Sequence, residues 1–144
     1  MVGKGNPGLV RNYPHIPGLD CTGKVYYSNS KKFKRGDNVM VIARPTGINS
    51  FGTMSSYFVC PSKWIEKIPP KINMKTPIIF GTAGFTAMLA VQNIINNNVK
   101  KNFPILVTGA SGGVGLLSIF FLNNLGYKII ASTTNVKKNL NFLK

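Results

Sequence analysis

The segment FPILVTGASGGVGLLSIFFLNNLGYKIIAS, residues 103–132, decides the fold of this 144-residue chain. Its apolar run 105–107 is typical of a parallel strand that is buried on both faces. The mostly apolar run 116–125 predicts a helix, and Gly126 follows it where a left-handed helix cap belongs. Residues 127–131 then predict a second strand. The segment therefore predicts a β-α-β unit, and a further helix is expected to begin at Val136.

Three glycines, Gly109, Gly112 and Gly115, lie between the predicted strand and the predicted helix. Glycine lets backbone N–H groups approach a ligand and lets the helix pack closely on the strand. The start of a helix also carries a partial positive charge, which favours a phosphate. This context predicts a dinucleotide site, although Ala110 replaces the first glycine of the GxGxxG pattern. The alternative is a tight strand-to-helix turn that binds no ligand.

The end of the second predicted strand indicates which dinucleotide is bound. It has the sequence STTN at residues 132–135, and Lys137 and Lys138 follow. An NAD site usually has an acidic residue here to bind the ribose hydroxyls. No acid is present to repel a 2′-phosphate, and hydroxyl groups and lysines are available to bind it. The sequence therefore favours NADP over NAD, and the alternative is an ordinary polar loop.

The part of the chain before Pro77 is predicted to be rich in β-structure. Short strands are predicted at residues 22–27, 38–43 and 55–59, with a turn at 34–37. The pattern then changes to helical spacing, with Phe85, Met88, Leu89 and Ile95 on the apolar face of a helix over residues 82–97. We place a β-rich domain at residues 1–76, and a linker helix with a nucleotide-binding domain at residues 77–144.

The charge balance is strongly basic, with 18 Lys and Arg against 3 Asp and Glu and a net charge of +15. One hypothesis is a protein that binds nucleic acid or another polyanion. The alternative is compositional drift, because most of the cations are lysines scattered along an asparagine-rich chain. We rank nucleic-acid binding last, because the charge is not gathered on one predicted helix or face.

The sequence predicts neither a metal centre nor a membrane segment. Cys21 and Cys60 belong to no Cys/His cluster, so structural zinc and a disulfide framework are not expected. We find no signal-peptide pattern, and no apolar run approaches the roughly 18–20 residues of a membrane span. We therefore expect a cytoplasmic protein with no membrane partner.

Several blocks in sequence order resemble the acrylyl-CoA reductase, or quinone oxidoreductase, branch of the zinc-independent medium-chain dehydrogenase/reductases. The specific blocks are IFGTAGFTAML and VTGASGGVG at their observed separation. The full set is RNYPHIPGLD at 11–20, GDNV at 36–39, SKW at 62–64, IFGTAGFTAML at 79–89, VTGASGGVG at 107–115 and LGY at 125–127. The resemblance spans nearly the whole chain.

The resemblance implies an α/β protein in which part of a GroES-like β-rich catalytic domain precedes the first β-α-β unit of a Rossmann domain. It implies hydride transfer from NADPH to an activated double bond, as in acrylyl-CoA or a quinone-like substrate. By position, the pyrophosphate would be held by Ser111, Gly112, Gly113 and Val114, and the 2′-phosphate by Thr133, Thr134 and Asn135. Family members usually have Arg where this chain has Asn135, so Lys137 or Lys138 would have to supply the missing charge. No catalytic residue is assigned.

Zinc-dependent relatives have His-Glu where this chain has Leu19 and Asp20, so no catalytic zinc is expected. His15, the single histidine, is interpreted as a structural or surface residue and not as a general acid. Family members are longer at both ends, so we expect this chain to be a central fragment, homodimeric if completed. Its sheets would then have uncovered edges, and we expect the isolated chain to be unstable and inactive. The alternative function is a non-catalytic remnant of a decayed or split gene.

Overall fold

The computed structural model describes Val10 and residues 12–143, and the chain divides into two units, Met1–Thr82 and Ala83–Lys144. The boundary predicted from the sequence, after residue 76, lies six residues before this division. We refer to the two parts as the first unit and the second unit.

The first unit contains an antiparallel sheet of three short strands in the order β1-β2-β3. Its strands are β1 (Cys21–Lys24), β2 (Asn38–Val41) and β3 (Glu66–Lys67). Cys21 pairs with Val41, and Val39 pairs with Lys67. Strands β1 and β2 are shorter than predicted, and β3 and a 3-10 helix at Ser62–Trp64 were not predicted.

The turn before β2 depends on one glycine and on the side chain of Asp37. Gly36 has a φ of +90°, a conformation that favours glycine. The Asp37 carboxylate accepts a hydrogen bond from the Lys34 backbone N–H at 3.0 Å. It also forms an ion pair with the Lys67 ammonium group at 2.8 Å. One side chain therefore holds both the turn and the neighbouring strand β3.

The strand predicted at residues 55–59 is wrong, because this segment is irregular in the structure. Tyr57 and Val59 are 74% and 94% exposed. The β-branched and aromatic composition of the segment suits a strand, but no strand of the described part of the chain pairs with it. Local propensity alone does not form a strand without a partner.

Helix α1 (Lys75–Asn96) is broken at Gly81, whose φ of 54° and ψ of −156° are not helical. The Asp20 carboxylate accepts hydrogen bonds from the Thr82 backbone N–H, at 2.7 Å, and from the Thr82 hydroxyl. Asp20 therefore caps the helical segment that begins after the break. A Cβ atom at Gly81 would lie 2.6 Å from Asp20 Oδ2, so this approach requires glycine.

The apolar face predicted for α1 is wrong. Phe85, Met88 and Leu89 are 51%, 46% and 57% exposed, and the expected core residue Ile95 is 37% exposed. The buried face instead carries smaller side chains, namely Gly84, Ala87, Val91 and the partly buried Ile94. Their spacing is also helical, but small residues permit a closer approach of neighbouring backbone than large ones do.

The second unit contains the predicted β-α-β unit. Strand β4 (Ile105–Val107) and strand β5 (Ile129–Ala131) are parallel, and helix α2 (Gly113–Asn124) connects them. Gly126 has the left-handed φ of 78° expected after the helix. Val91, Leu122 and Tyr127 form the core between α1, α2 and the sheet. Helix α3 (Val136–Leu143) follows β5.

The prediction that β4 is buried on both faces is wrong. Ile105 and Val107 are half-buried against the core, but Leu106 points to the other face and is 61% exposed. Ile130 of β5 is 52% exposed. The described part of the second unit covers one face of this two-stranded sheet more fully than the other.

The sequence was expected to contain no apolar segment as long as a membrane span, and this is wrong. By length and composition alone, α1 is long and apolar enough to cross a membrane. This helix has 22 residues and a mean hydropathy of 1.6 over its most apolar window. The break at Gly81 leaves residues 82–96 as continuous helix, which spans about 22 Å at ~1.5 Å per residue. A bilayer core is ~30 Å thick, and the small-residue face of α1 is buried in the second unit.

Candidate dinucleotide-binding site

The glycine turn, residues 109–115, joins β4 to α2. Gly109 has a φ of 60°, and its carbonyl oxygen accepts a hydrogen bond from the Gly112 N–H at 2.8 Å. Gly112 then forms the N-cap of α2, and no side chain caps this helix end. The first N–H groups of a helix have no partner within the helix. The start of α2 therefore presents exposed N–H donors and the positive end of the helix dipole.

Gly115 allows α2 to pack against the glycine turn. A Cβ atom at this position would overlap the Gly109 carbonyl oxygen and would lie 2.9 Å from the Ala110 Cα atom. The corresponding Cβ at Gly112 would lie 3.2 Å from the Gly109 oxygen, a tighter contact than most. Gly109 is needed for its conformation and Gly115 for close packing, which are the roles the spacing predicts.

Backbone hydrogen bonds join the glycine turn to the end of β5. The Ala110 N–H donates to the Ser132 carbonyl oxygen at 3.0 Å, and the Ser132 N–H donates to the Val107 carbonyl oxygen at 2.8 Å. Ala110 is fully buried, which accounts for a methyl group at the position where GxGxxG has glycine. The residues after β5 are thereby held beside the residues before α2.

Hydroxyl and amide groups meet at the junction between the glycine turn and the end of β5. Ser111 Oγ lies 3.1 Å from Thr133 Oγ1. Asn139 of α3 donates from Nδ2 to Thr133 Oγ1 at 2.9 Å. Asn135 Oδ1 accepts a hydrogen bond from the Lys138 backbone N–H at 3.0 Å, so this side chain caps α3.

All seven predicted site residues lie before or at the start of α2 or after β5, with exposed or partly exposed side chains or backbone. Ser111, Gly112, Gly113 and Val114 are exposed at the start of α2, and Thr133 and Thr134 follow β5. The seventh, Asn135, also lies after β5, but its oxygen is bonded within α3. Sequence reasoning missed Asn139, whose position one helical turn after Asn135 was the available signal.

The charged side chains of residues 83–144 are all positive. The three acids of the chain, Asp20, Asp37 and Glu66, precede residue 83. Residues 83–144 include no acid, and they include the lysines at positions 100, 101, 128, 137, 138 and 144. Lys137 and Lys138 are exposed in the first turns of α3, four and five residues after Thr133. An anion at the start of α2 would therefore meet no carboxylate of the second unit.

A groove of about 550 Å³ borders the glycine turn on the side of α1. Its lining is mostly apolar and includes Val91, Ile94, Ile105 and Val107, together with Gly112 and Gly113. An apolar groove with a few convergent polar groups is typical of small-molecule sites.

His15 and the two cysteines are distant from this junction in sequence and belong to the first unit. The His15 ring lies between the Tyr13 and Phe51 rings, at centroid distances of 6.5 and 6.4 Å, and its Nε2 is buried without a hydrogen-bond partner. Burial raises the pKa of the Cys21 and Cys60 thiols, which makes them poor nucleophiles. Among the described residues, no three His, Cys, Asp or Glu side chains come together as metal ligands.

Comparison with known proteins identifies the family. Residues 2–70 match the alcohol dehydrogenase GroES-like domain. The structure of the Salmonella enterica yhdH oxidoreductase in complex with NADP matches 96% of the chain with a TM-score of 0.91 and 31% identity. The chain belongs to the medium-chain dehydrogenase/reductase family. This confirms the predicted fold class, a GroES-like β-rich part followed by a Rossmann β-α-β unit.

The relatives that the chain matches are much longer than the chain. YhfP of Bacillus subtilis, named as a quinone oxidoreductase, is 38% identical over 136 residues, which is 94% of the chain and 41% of YhfP. The acrylyl-CoA reductase AcuI of Ruegeria pomeroyi is 38% identical over 133 residues, 92% of the chain and 40% of that enzyme. The crystal structure of YhfP with bound NAD has a TM-score of 0.84 at 37% identity over 94% of the chain and 42% of YhfP. The chain therefore spans about two fifths of the length of these relatives.

Proposed function

We propose that the chain binds NADP(H) at the junction between the glycine turn and the end of β5. The observation that carries this proposal is the exposed, uncapped start of α2, where a turn packed through Gly115 presents free N–H groups. In the proposal the N–H groups of Gly113 and Val114 donate to the pyrophosphate. The Gly112 N–H is bonded to the Gly109 carbonyl oxygen, so Gly112 contributes through its backbone conformation at the N-cap. Thr133 and Thr134 lie at the 2′-phosphate.

Two further observations support NADP(H) over NAD(H). The second unit contains no carboxylate to repel a 2′-phosphate, and Lys137 and Lys138 supply positive charge in place of the usual Arg. Structural neighbours were solved with NADP or NADPH bound, including the yhdH proteins of Salmonella enterica and Escherichia coli. The NAD complex of YhfP makes the choice between the two cofactors a point for experiment.

We further propose that a protein containing this chain is an oxidoreductase that reduces an activated carbon–carbon double bond. The support is the relationship to acrylyl-CoA reductases and quinone oxidoreductases, and the substrate class follows from their names. Bound NADPH would supply the hydride. The role of the described residues is to hold the dinucleotide in one orientation, and none of them is assigned to proton transfer.

The cofactor proposal is tested by titrating the chain with NADPH and NADH in a calorimeter. We expect weak binding with a preference for NADPH. Equal affinity for the two cofactors would contradict the NADP assignment, and binding of neither would contradict the whole proposal. NADPH oxidation is then measured with acrylyl-CoA and with a benzoquinone. Binding without turnover of either substrate would favour the alternative of a non-catalytic remnant.

Location and assembly are also proposals. We propose a cytoplasmic protein, in keeping with the bacterial relatives, although the spinach and Arabidopsis relatives are named as chloroplast proteins. We propose a homodimer for a protein that contains this chain together with the further length of its relatives. Fractionation of the source cells and light scattering would test these two proposals.

A further inference from the structure

The groove beside the glycine turn runs along one edge of the two-stranded sheet. Its lining includes all three residues of β4 and, on the side of α1, Ala90 and Ile94. None of the three residues of β5 lines it, although β5 is paired with β4 along its whole length. The groove, of about 550 Å³, therefore borders the edge of β4 that faces away from β5.

The backbone groups of Leu106 point to this edge. The Ile105 N–H donates to the Lys128 carbonyl oxygen at 2.8 Å, and the Val107 carbonyl oxygen accepts from the Ser132 N–H at 2.8 Å. Ile105 and Val107 are thus bonded toward β5. Successive backbone groups of a strand point alternately to its two sides. The N–H and C=O of Leu106 therefore point away from β5, where no strand of the described residues lies.

These features together form an acceptor for one further strand. An edge strand offers its N–H and C=O groups as a template for another strand, and apolar walls receive the side chains of the added strand. The walls here are Val91 and Ile94 of α1 together with the start of α2. A small apolar ligand would fill the same walls but would leave the Leu106 backbone groups without a partner.

We propose that the free edge of β4 binds a strand that a separate polypeptide can supply, one that carries the further nucleotide-binding part of a longer relative. The chain spans about two fifths of the length of YhfP and of AcuI, so these relatives contain ample further chain. A doubly wound domain has about six strands, with its first strand in the interior of the sheet. In the described residues β4, the first strand of the second unit, has one neighbour.

The separate polypeptide is favoured over a second copy of this chain. The charged side chains of residues 83–144 are all positive, so two copies joined at this edge would repel each other. The acceptor is also formed without its occupant, because Val91, Leu122 and Tyr127 already pack into a core beside β4.

Occupation of the groove should also strengthen cofactor binding, and this part of the inference rests on the proposed function. Gly109, Gly112 and Gly113 line the groove and belong to the glycine turn. A strand packed there restricts the turn, so that NADP(H) has less of it left to order. We expect NADPH affinity to rise about fivefold or more when the strand is bound.

The test is to co-express the 144-residue chain with the YhfP segment that follows the region it matches, and in parallel with the corresponding segment of AcuI. We expect a complex of one chain with one segment by light scattering. In that complex the Leu106 amide should exchange its hydrogen at least about tenfold more slowly than in the chain alone. NADPH titration of the chain with and without the segment measures the coupling.

Two variants act on the acceptor by different means. Leu106→Pro removes the N–H that points to the groove and leaves the bonds of Ile105 and Val107 to β5. Ala90→Phe fills the groove from an exposed position of α1. Each should lower the yield of complex about fivefold or more. Gln92→Phe, at an exposed position of the same helix outside the groove, is the matched control and should change the yield by less than about twofold. Thermal melts identify any variant that fails to fold.

The outcomes separate this inference from the cofactor proposal. No complex with either segment, or a complex in which the Leu106 amide stays unprotected, would overturn the strand acceptor, whether or not the chain binds NADPH. An equal effect of Ala90→Phe and Gln92→Phe would also overturn it. A dimer of the chain alone that Leu106→Pro abolishes would identify a second copy as the occupant and contradict our choice. A protected complex that binds neither cofactor would overturn the proposed function and the coupling, and would leave the acceptor standing.

Discussion

The two units of this chain use charge in opposite ways. In the first unit each carboxylate has a partner within the unit: Asp20 caps the helical segment that begins at residue 82, Asp37 pairs with Lys67, and Glu66 lies 3.7 Å from Arg44. The second unit has lysines and no carboxylate, and its exposed donors surround the start of one helix. The first arrangement stabilises loops and turns, whereas the second leaves positive potential for an anionic ligand. The net charge of +15 for the whole chain does not show that the two units differ in how their charged groups are partnered.

The largest effect is expected when a glycine that is needed for close packing is replaced, and a glycine in open space serves as the comparison. Gly115→Ala should remove NADPH binding and destabilise the second unit by about 3 kcal/mol, since the new Cβ overlaps the glycine turn. This cost outweighs the roughly 1 kcal/mol by which Ala usually stabilises a helix over Gly. Urea unfolding and calorimetry measure the two effects. Gly23→Ala in β1, where a Cβ meets nothing within 4 Å, is the matched control.

A second prediction tests whether the carboxylates of the first unit act structurally. Asp20→Ala removes the acceptor at the start of residues 82–96 and should cost about 1–2 kcal/mol of unfolding free energy. Asp20→Asn keeps an acceptor oxygen and should cost about half as much. Urea denaturation followed by circular dichroism checks both variants. Equal stability of Asp20→Ala and wild type would show that Asp20 is not a cap.

Charge in the second unit is tested by removing lysines in matched pairs. Lys137→Ala with Lys138→Ala should lower NADPH affinity about threefold to tenfold at low salt, with a smaller effect at high salt. Lys31→Ala with Lys32→Ala removes the same charge from an exposed loop of the first unit and should change affinity by less than about twofold. If both pairs have the same effect, net charge and not local charge governs binding.

The smallest expected effect is the pH dependence of the first unit. The Lys34 N–H bond, followed by the interaction with Lys67, holds the pKa of Asp37 below its ordinary value of 3.8. Because the folded-state pKa is lowered, Asp37 contributes stability above pH 3.8, and this contribution is lost as the pH falls through the folded-state pKa. Lys67→Met should therefore reduce the melting temperature slightly at pH 7, and the reduction should shrink as the pH falls through the folded-state pKa of Asp37. A larger loss at the lower pH would contradict the assignment.

The sequence predicted the glycine turn better than it predicted the core. The glycine turn was predictable because its geometry requires glycine at particular positions. Gly109 has a positive φ, and Gly115 leaves no room for a Cβ atom. The buried face of α1 was not, because hydrophobicity favours Phe85 and Met88 whereas the structure buries Ala87 and Val91. Which stripe of an apolar helix packs inward depends on the shape of its neighbours, which sequence periodicity does not contain.

The side-chain network of the site shows the same limit. Ser111 and Thr133 were both identified, but their contact at 3.1 Å joins residues 22 positions apart and depends on how β4 and β5 align. Asn139 was missed because a polar residue on a short helix has no distinctive pattern. Motifs indicate which residues approach a ligand, whereas the contacts between those residues require coordinates.

The cap at the break in α1 also has a consequence for the order of folding. Asp20 and Thr82 are 62 residues apart in the chain, so their hydrogen bonds close a long loop. A helix nucleus forms from neighbouring residues within about a microsecond, long before such a loop is fixed. We therefore expect the carboxylate to reach a helix that has already begun, so that removing it changes the rate of unfolding more than the rate of folding. In this view Asp20 stabilises the start of residues 82–96 only after β1 has formed, and it then keeps this helix end from fraying.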